Sequence, residues 1–498
     1  VCGVHSIKSG PSGEGRNAPL RKTQGPPTAG VQAAGPDGNL PAAGNRNGTS
    51  LNNAGSNGNY WSSSLNTDNP NNAYNVNFNS DNVDWNNNNR YNGQSVRPVS
   101  ECTGMRGAPL PFDNFYSGTS PQKLLLDLYR AWKAARRHKR RKGYQLTFER
   151  NAEAELVRLR DAILARTWRP GVSSCFIIHD PKMREVFAAQ FRDRVVHHLL
   201  YDYIAPVLEA GFIEDSYSCI KDRGTHYGIE RLFEKIRTVS CNWTRPCYIL
   251  KLDIEGYFMH IGRARLLEIC LRSLEPHRAG MDFSLVEYLL RVIILDNPVT
   301  HCRRIGPVSE WEKLPDSKSL FRSPEGCGLP IGNLTSQLFS NVYMNEFDQY
   351  MVGMLGAGRY GRYVDDAYVV VESPAQLRAL VPVAESFLKQ RLGLTLSKRK
   401  IAVYSASRGV EFLGAYLKPW RKYLSGKTLR HMERHFSELP GLPRKRAALK
   451  VNSLLGLTVH YRAYHIRKRW LDGPLHFLLH DGTFTSGIKT YQLREVSR

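Results

Sequence analysis

Gly361-Arg362-Tyr363-Val364-Asp365-Asp366-Ala367-Tyr368-Val369-Val370-Val371 sets two adjacent carboxylates between a basic, aromatic approach and a run of β-formers. The pattern predicts a tight β-hairpin with the Asp pair at its tip. Adjacent aspartates repel and cost stability unless a cation lies between them, so a hard-metal site is the natural reason for the pair. A second stretch, Cys247-Tyr248-Ile249-Leu250-Lys251-Leu252-Asp253-Ile254-Glu255-Gly256-Tyr257-Phe258, predicts a strand. Tyr248, Leu250, Leu252 and Ile254 would share one face, with Asp253 on the other near the strand's end.

An Asp ending one strand beside an Asp-Asp hairpin is suited to two magnesium ions roughly 3.5–4 Å apart, the clamp used for in-line phosphoryl displacement. The two elements together predict a polymerase palm. A lone Asp-Asp is more often a surface turn. Both elements, in this order and between apolar strands, reverse that reading. Tyr-x-Asp-Asp with an upstream Leu-x-Leu-Asp-Ile-x-Gly-Tyr-Phe resembles the reverse transcriptase family.

The 498 residues suffice for two or three domains. The formal charge of +24 implies a polyanionic partner. Residues 1–100 hold seven Lys/Arg and five acids, so +22 falls on the part with the carboxylate motifs, which suits nucleic acid held along its backbone. The nine cysteines are scattered, with no Cys-x-x-Cys and no zinc-type His spacing; an odd count suggests free thiols in a reducing compartment. No run approaches the length needed to cross a bilayer, and no signal-peptide pattern opens the chain at Val1. The expectation is a cytoplasmic protein, bacterial, archaeal or phage-borne, without a membrane partner.

Residues 1–112 read as a low-complexity leader. From Asn66 to Asn92 thirteen of twenty-seven residues are Asn, which by composition predicts disorder. Tyr60-Trp61-Ser62-Ser63-Ser64, Ala73-Tyr74-Asn75-Val76-Asn77-Phe78 and Gly93-Gln94-Ser95-Val96-Arg97-Pro98-Val99 nevertheless resemble the end of a C-type-lectin-like domain, the variable part of proteins diversified by retroelements. Asn codons begin with two adenines, and adenines are what a diversity-generating retroelement randomises in its template repeat. The resemblance implies that about 40–99 are that repeat, translated in frame. An Asn-rich linker and a fused lectin domain are the other readings, and the second requires a packed core.

From residue 113 the resemblance continues through ordered motifs, with 113–247 as N-terminal helices and fingers, 248–420 as palm and 421–498 as a basic helical thumb. Ser120 and Pro121 predict the start of a helix through Trp132, followed by the basic run Arg136–Lys142, which suits phosphates or an acidic partner. A second helix is expected over about 152–166. Phe176–Val186 predicts a strand pair around a Pro turn, and Phe191-Arg192-Asp193-Arg194-Val195-Val196-His197-His198 opens a helix whose histidines read as packing residues. The resemblance implies that Arg184, supported by Lys182, contacts the incoming triphosphate, a task suited to a guanidinium fork. It places Arg223, Gly224 and Thr225 along the template, with an N-cap as the plainer role for Thr225. Phe258 would exclude ribonucleotides by closing over the sugar. Residues 296–324 form a polar connection long enough to suggest a function.

Gly328-Leu329-Pro330-Ile331-Gly332-Asn333-Leu334-Thr335-Ser336-Gln337 has Ile331 where many retroviral-type enzymes have Gln, and Ser336-Gln337 where they have Ser-Pro. Both departures resemble the diversity-generating group. The implied nucleotide set adds Ile331, Gly332 and Lys400, the last as an acid for pyrophosphate. The template and primer set adds Ser336, Gln337, Tyr363, Phe412, Leu413 and Gly414. Asp253, Asp365 and Asp366 are the implied catalytic residues, and with Ile254 the implied ligands of two Mg²⁺ ions, Mn²⁺ being the alternative.

The expected fold is α+β, a right-hand polymerase behind a disordered Asn/Gly-rich leader. The implied activity is RNA-directed DNA polymerisation on template-repeat RNA, giving adenine-mutagenised cDNA, with a DNA or RNA primer, deoxynucleoside triphosphates and an accessory variability protein as partners. A faithful group II intron or retron-type enzyme is the alternative, and a non-catalytic RNA-binding protein the alternative of another class.

Overall fold

The computed structural model describes residues 119–180 and 182–494, together with six short strands and Ser56 between 45 and 94. Two compact units divide the chain, 1–110 and 111–498. In the first, β1 (Asn45–Asn47), β2 (Ser50–Asn52), β3 (Gly58–Leu65), β4 (Asn72–Phe78), β5 (Val83–Asn89) and β6 (Gly93–Gln94) form antiparallel sheets ordered β2-β1-β6 and β3-β4-β5. Register sets Val76 opposite both Tyr60 and Trp85. β3, β4 and β5 fall where aromatic and β-branched residues recur among the asparagines, and that pattern supports more pairing than composition alone predicts. The disorder expected of 1–44 and 95–112 lies outside the described residues.

The second unit opens with α1 (Pro121–Ala135), α2 (Gly143–Arg150) and α3 (Ala152–Leu164). Ser120 Oγ accepts the Lys123 N–H at 3.2 Å, and Pro121 sits where a missing N–H costs nothing. The antiparallel strands β7 (Ser173–Ile178) and β8 (Arg184–Ala188) follow, then α4 (Phe191–Ala210) and α5 (Thr225–Val239). Next come β9 (Tyr248–Asp253), α6 (Tyr257–His260), α7 (Arg263–Leu274) and α8 (Phe283–Ile294).

The polar connection after α8 contains β10 (Cys302–Arg304) and α9 (Ser309–Glu312), and β10 adds in parallel to β7. Its work in the structure is architectural. Trp311 Nε1 and Ser319 Oγ donate to Glu185 Oε1 at 2.8 and 3.1 Å, and Leu320 N to Glu185 Oε2 at 2.6 Å, so the connection satisfies a buried carboxylate of β8.

α10 (Leu334–Leu355) is buried on most sides and backs a sheet ordered β11-β12-β9-β13, with β11 (Tyr360–Tyr363), β12 (Asp366–Val371) and β13 (Ala402–Ser405). α11 (Pro374–Phe387) connects the last two. All three ladders are antiparallel, and both sheet faces are covered. Leu250, Leu252, Ala367, Val369 and Val371 join the large helical core. Ile249, Tyr368 and Val370 meet Tyr217, Ile229 and Leu232 on the other side.

A sheet of β14 (Val410–Phe412), β15 (Ala415–Lys418) and β16 (Arg421–Leu424) leads to α12 (Gly426–Ser437), α13 (Arg444–Gly456), α14 (Tyr464–Asp472) and α15 (Leu478–Asp481), around a core of their own. This region is not wholly helical, because β17 (Gly482–Thr485) and β18 (Thr490–Leu493) close it as a hairpin.

Arg362 on β11 and Asp348 on α10 are 1% and 0% exposed and pair at 2.7 and 2.6 Å through two parallel hydrogen bonds. Arg362→Met should cost about 3–5 kcal/mol in chemical denaturation, because it strands a buried carboxylate. Adding Asp348→Leu should recover part of that loss; a double variant less stable than the single would contradict this account.

Candidate active site

The β9–β12 register sets Asp253 directly opposite Asp366, and Tyr363 pairs with Asp366 across the hairpin. Alternation along the strands puts Lys251, Asp253 and Asp366 on one face. Val364 and Asp365 form the two-residue turn between β11 and β12. Val364 has φ +57°, an uncommon conformation for a β-branched residue. Arg362 Nη1 donates to the Val364 carbonyl at 2.8 Å, so the buried guanidinium holds the turn from beneath.

Two lysines balance the carboxylates. Lys251 Nζ donates to Asp366 Oδ2 at 3.2 Å, and Lys400 Nζ to Asp253 Oδ1 at 2.7 Å. Burial and the charge of Asp253 push the Asp365 carboxyl up to about 6. Burial also raises Asp366, against the pull of Lys251. Such mutual repulsion among all-oxygen donors fits a hard divalent cation. With lysines drawing Asp253 and Asp366, the three carboxylates do not all approach within 4.8 Å of one another. Ile254 is buried in the helical core, which leaves only its backbone for a ligand role.

Phe258 is half-buried on α6, edge-on to Tyr257 at 5.3 Å, and packs against the cluster that also receives Met183 and Ile331. The Ile331 carbonyl accepts from Phe187 N at 2.8 Å, tying this loop to β8. Gly332 has φ +128°, and a Cβ there would lie 2.6 Å from the Phe187 carbonyl, so this glycine permits the approach of β8. Lys182 and Arg184 are exposed on the β7–β8 side, and Lys400 is exposed beside Asp253.

The remaining sequence-derived residues divide by burial. Gln337 is exposed, whereas Ser336 is buried in α10 and Phe412 is wholly buried against Tyr368, so both pack rather than present themselves to a strand. Leu413 and Gly414, at φ +48° and +83°, make the β14–β15 turn, and Tyr363 is half-buried at the end of β11. Arg223 Nη1 donates to the Ile213 carbonyl at 2.7 Å, which commits it to its own loop. Gly224, not Thr225, is the N-cap of α5, and Thr225 is the first helical residue. His197 Nδ1 meets Thr335 Oγ1 at 2.8 Å, and burial pulls both His197 and His198 down to about 4, in keeping with packing roles.

Sequence reasoning missed Lys251 as a partner of Asp366, although its strand position, two before Asp253, put it on the same face. It also missed Asp215, which Tyr217, Arg231 and Lys235 all contact, and Glu185. Single buried charges of this kind carry no spacing signal.

Residues 179–417 match the Reverse transcriptase (RNA-dependent DNA polymerase) family. Protein YkfC of Escherichia coli (strain K12) is 24% identical over 294 residues, 52% of this chain and 70% of that protein. Among solved structures, apo telomerase from Candida tropicalis has a TM-score of 0.38 at 11% identity, over 62% of this chain and 61% of that one. Telomerase from Candida albicans, with a TWJ fragment of telomeric RNA, has a TM-score of 0.37 at 11% identity, over 67% and 60%. This chain thus spans less than two thirds of those telomerase chains. Among the described residues no helix is long and apolar enough to cross a membrane.

Asp365 should destabilise the protein in EDTA wherever it is ionised. Its folded pKa lies above the unfolded value, so the native state binds more protons between the two, and stability falls as pH rises from about 4 towards 6 and stays lower above. Asp365→Asn should therefore stabilise at pH 7.5 by on the order of 2 kcal/mol in urea unfolding, and by less at pH 4.5. An equal gain at both pH values would refute a carboxyl raised by burial and by the charge of Asp253.

Proposed function

We propose, from the premise that residues 179–417 are a reverse transcriptase domain, an RNA-directed DNA polymerase module, that the chain copies the template-repeat RNA of a diversity-generating retroelement into cDNA substituted at adenines. The observation that carries the diversifying part is Ile331. Its backbone is fixed to β8 and its side chain packs against the buried cluster that also receives Phe258 and Met183, so it offers no polar group where many retroviral-type enzymes have a Gln amide. Without that contact the incoming nucleotide is held in register by shape and pairing alone, and mispairing is penalised less.

In this reading Asp253, Asp365 and Asp366 hold divalent cations, Mg²⁺ or Mn²⁺, which when bound stabilise charge on the attacking 3′-oxygen and the leaving pyrophosphate. Arg184 forks onto the triphosphate, with Lys182 beside it. Lys400 carries the proton that the leaving pyrophosphate takes up at a phosphate oxygen, and its salt bridge to Asp253 holds Nζ near. Phe258 closes over C2′ and selects deoxynucleotides. Gly224, Thr225, Gln337, Tyr363, Leu413 and Gly414 border the template and primer, with an accessory protein as a further partner.

Primer extension on the element's RNA, with all four deoxynucleotides and any accessory protein, should give cDNA with substitutions concentrated opposite adenines. Ile331→Gln should lower that substitution frequency while sparing extension. Asp365→Asn should reduce extension at least about a hundredfold and leave RNA binding intact. Faithful cDNA would refute the diversifying role and favour an intron or retron type; unimpaired extension by Asp365→Asn would refute the catalytic assignment.

A further inference from the structure

The turn between β7 and β8 meets α12 at a cluster that the polymerase chemistry does not use. Asp180 lies in the turn, and His431 and His435 are one helical turn apart on the same side of α12. His435 Nε2 is 3.4 Å from Asp180 Oδ2, and His431 Nδ1 is 3.9 Å from Asp180 Oδ1. One ligand atom from each residue falls within 4.8 Å of the other two.

Hydrogen-bond bookkeeping makes this cluster unusual. His435 Nδ1 is 3.1 Å from Glu438 Oε2, and a carboxylate only accepts, so Nδ1 carries the proton. In the neutral ring Nε2 is then a lone pair, and it faces another acceptor, the Asp180 carboxylate. Arg434 Nη2 lies 3.2 Å from His431 Nδ1, which must accept, so the lone pair of this atom is held by the guanidinium and becomes free for a metal only when Arg434 swings aside. The same Arg434 nitrogen reaches Asp180 Oδ1 at 3.1 Å, and Lys450 pairs with Glu438. Acceptors therefore converge, and one guanidinium bridges two of them.

We propose that Asp180, His431 and His435 form a transition-metal site of the Zn²⁺ class that fastens the β7–β8 turn to α12. Two imidazoles and a carboxylate are donors for Zn²⁺, whereas Mg²⁺ prefers oxygen throughout. Tetrahedral sites with bonds of about 2.0–2.2 Å set ligand atoms about 3.3–3.6 Å apart; His435 Nε2 and Asp180 already have that spacing, and the other separations, all within 4.8 Å, would contract on binding. Glu438 orients His435 and raises its basicity through Nδ1, as carboxylates do behind metal-bound histidines. Three protein ligands leave a fourth position for water. The site is remote in kind from the three-aspartate centre and stands whether or not the cDNA is mutagenised.

The test uses the full chain, freed of metal with EDTA and returned to excess Mg²⁺, then titrated with Co²⁺ as a visible probe and with Zn²⁺ against a chromophoric competitor. One equivalent should bind with the d–d absorption of a four-coordinate nitrogen and oxygen site, and Zn²⁺ should displace it. Asp180→Asn and His435→Gln should each weaken binding more than about 10-fold. Arg434→Gln separates a metal site from a simple ion-pair contact: removing that positive charge should leave Zn²⁺ affinity unchanged or tighten it by about threefold. Unchanged binding in a His431→Gln/His435→Gln double variant whose primer extension in Mg²⁺ is normal would overturn the proposal. So would a thiolate charge-transfer band, which assigns the ion to cysteine, or an Arg434→Gln variant that binds Zn²⁺ more weakly.

Discussion

A charge with no partner in a protein core costs several kcal/mol, and this constraint governs the carboxylate hairpin. Arg362 is buried because Asp348 on α10 is buried with it. Tyr360 also donates to Asp348 at 2.7 Å, so the acid ties two positions of one strand to the central helix. The other guanidinium donors reach Asn341 Oδ1, Ser216 Oγ and the Val364 carbonyl. Segments far apart in sequence thus share one planar group. The strained backbone at Val364 persists because the core cannot release Arg362 without exposing or stranding its charge.

Above that foundation the electrostatics are reversed. At the edge of the sheet burial first, and then neighbouring carboxylates, raise the proton affinity of Asp365 and Asp366, and Lys251 and Lys400 offset part of it. A rigid base and an unfavourable charge pattern at the rim belong together. Only a well-fixed hairpin can hold acids close enough to attract a cation without relaxing apart.

Much of this architecture was legible from local pattern. The Asp-Asp hairpin, the apolar face of β9, the Ser120-Pro121 helix start and the antiparallel pair β7–β8 each follow from short-range chemistry: turn preference, alternation or capping. What stayed hidden depends on partners distant in sequence. Glu185 receives its donors from residues 311–320, and Asp215 is paired by Arg231 and Lys235. The long polar connection was legible as unusual, but its role in completing a three-stranded sheet was not, because β10 is only three residues long. The same limit applies to Asp180, His431 and His435: a His pair at helical spacing is unremarkable until a turn some 250 residues earlier in the chain is placed against it. Burial alone separates Ser336 from exposed Gln337 and Phe412 from half-buried Leu413.

The loop at Ile331 has a consequence for how the protein can change over generations. Its link to β8 runs through a main-chain carbonyl, which every amino acid possesses, while the glycine that needs empty space is the next residue. Substitutions at 331 therefore alter the chemistry of a side chain without disturbing the hydrogen bond that sets its location. Gly332 is the opposite case, since any side chain there meets the Phe187 carbonyl. One position can change its side chain and its neighbour is held, so single steps alter the chemistry of this loop while its hydrogen bond to β8 stays in place.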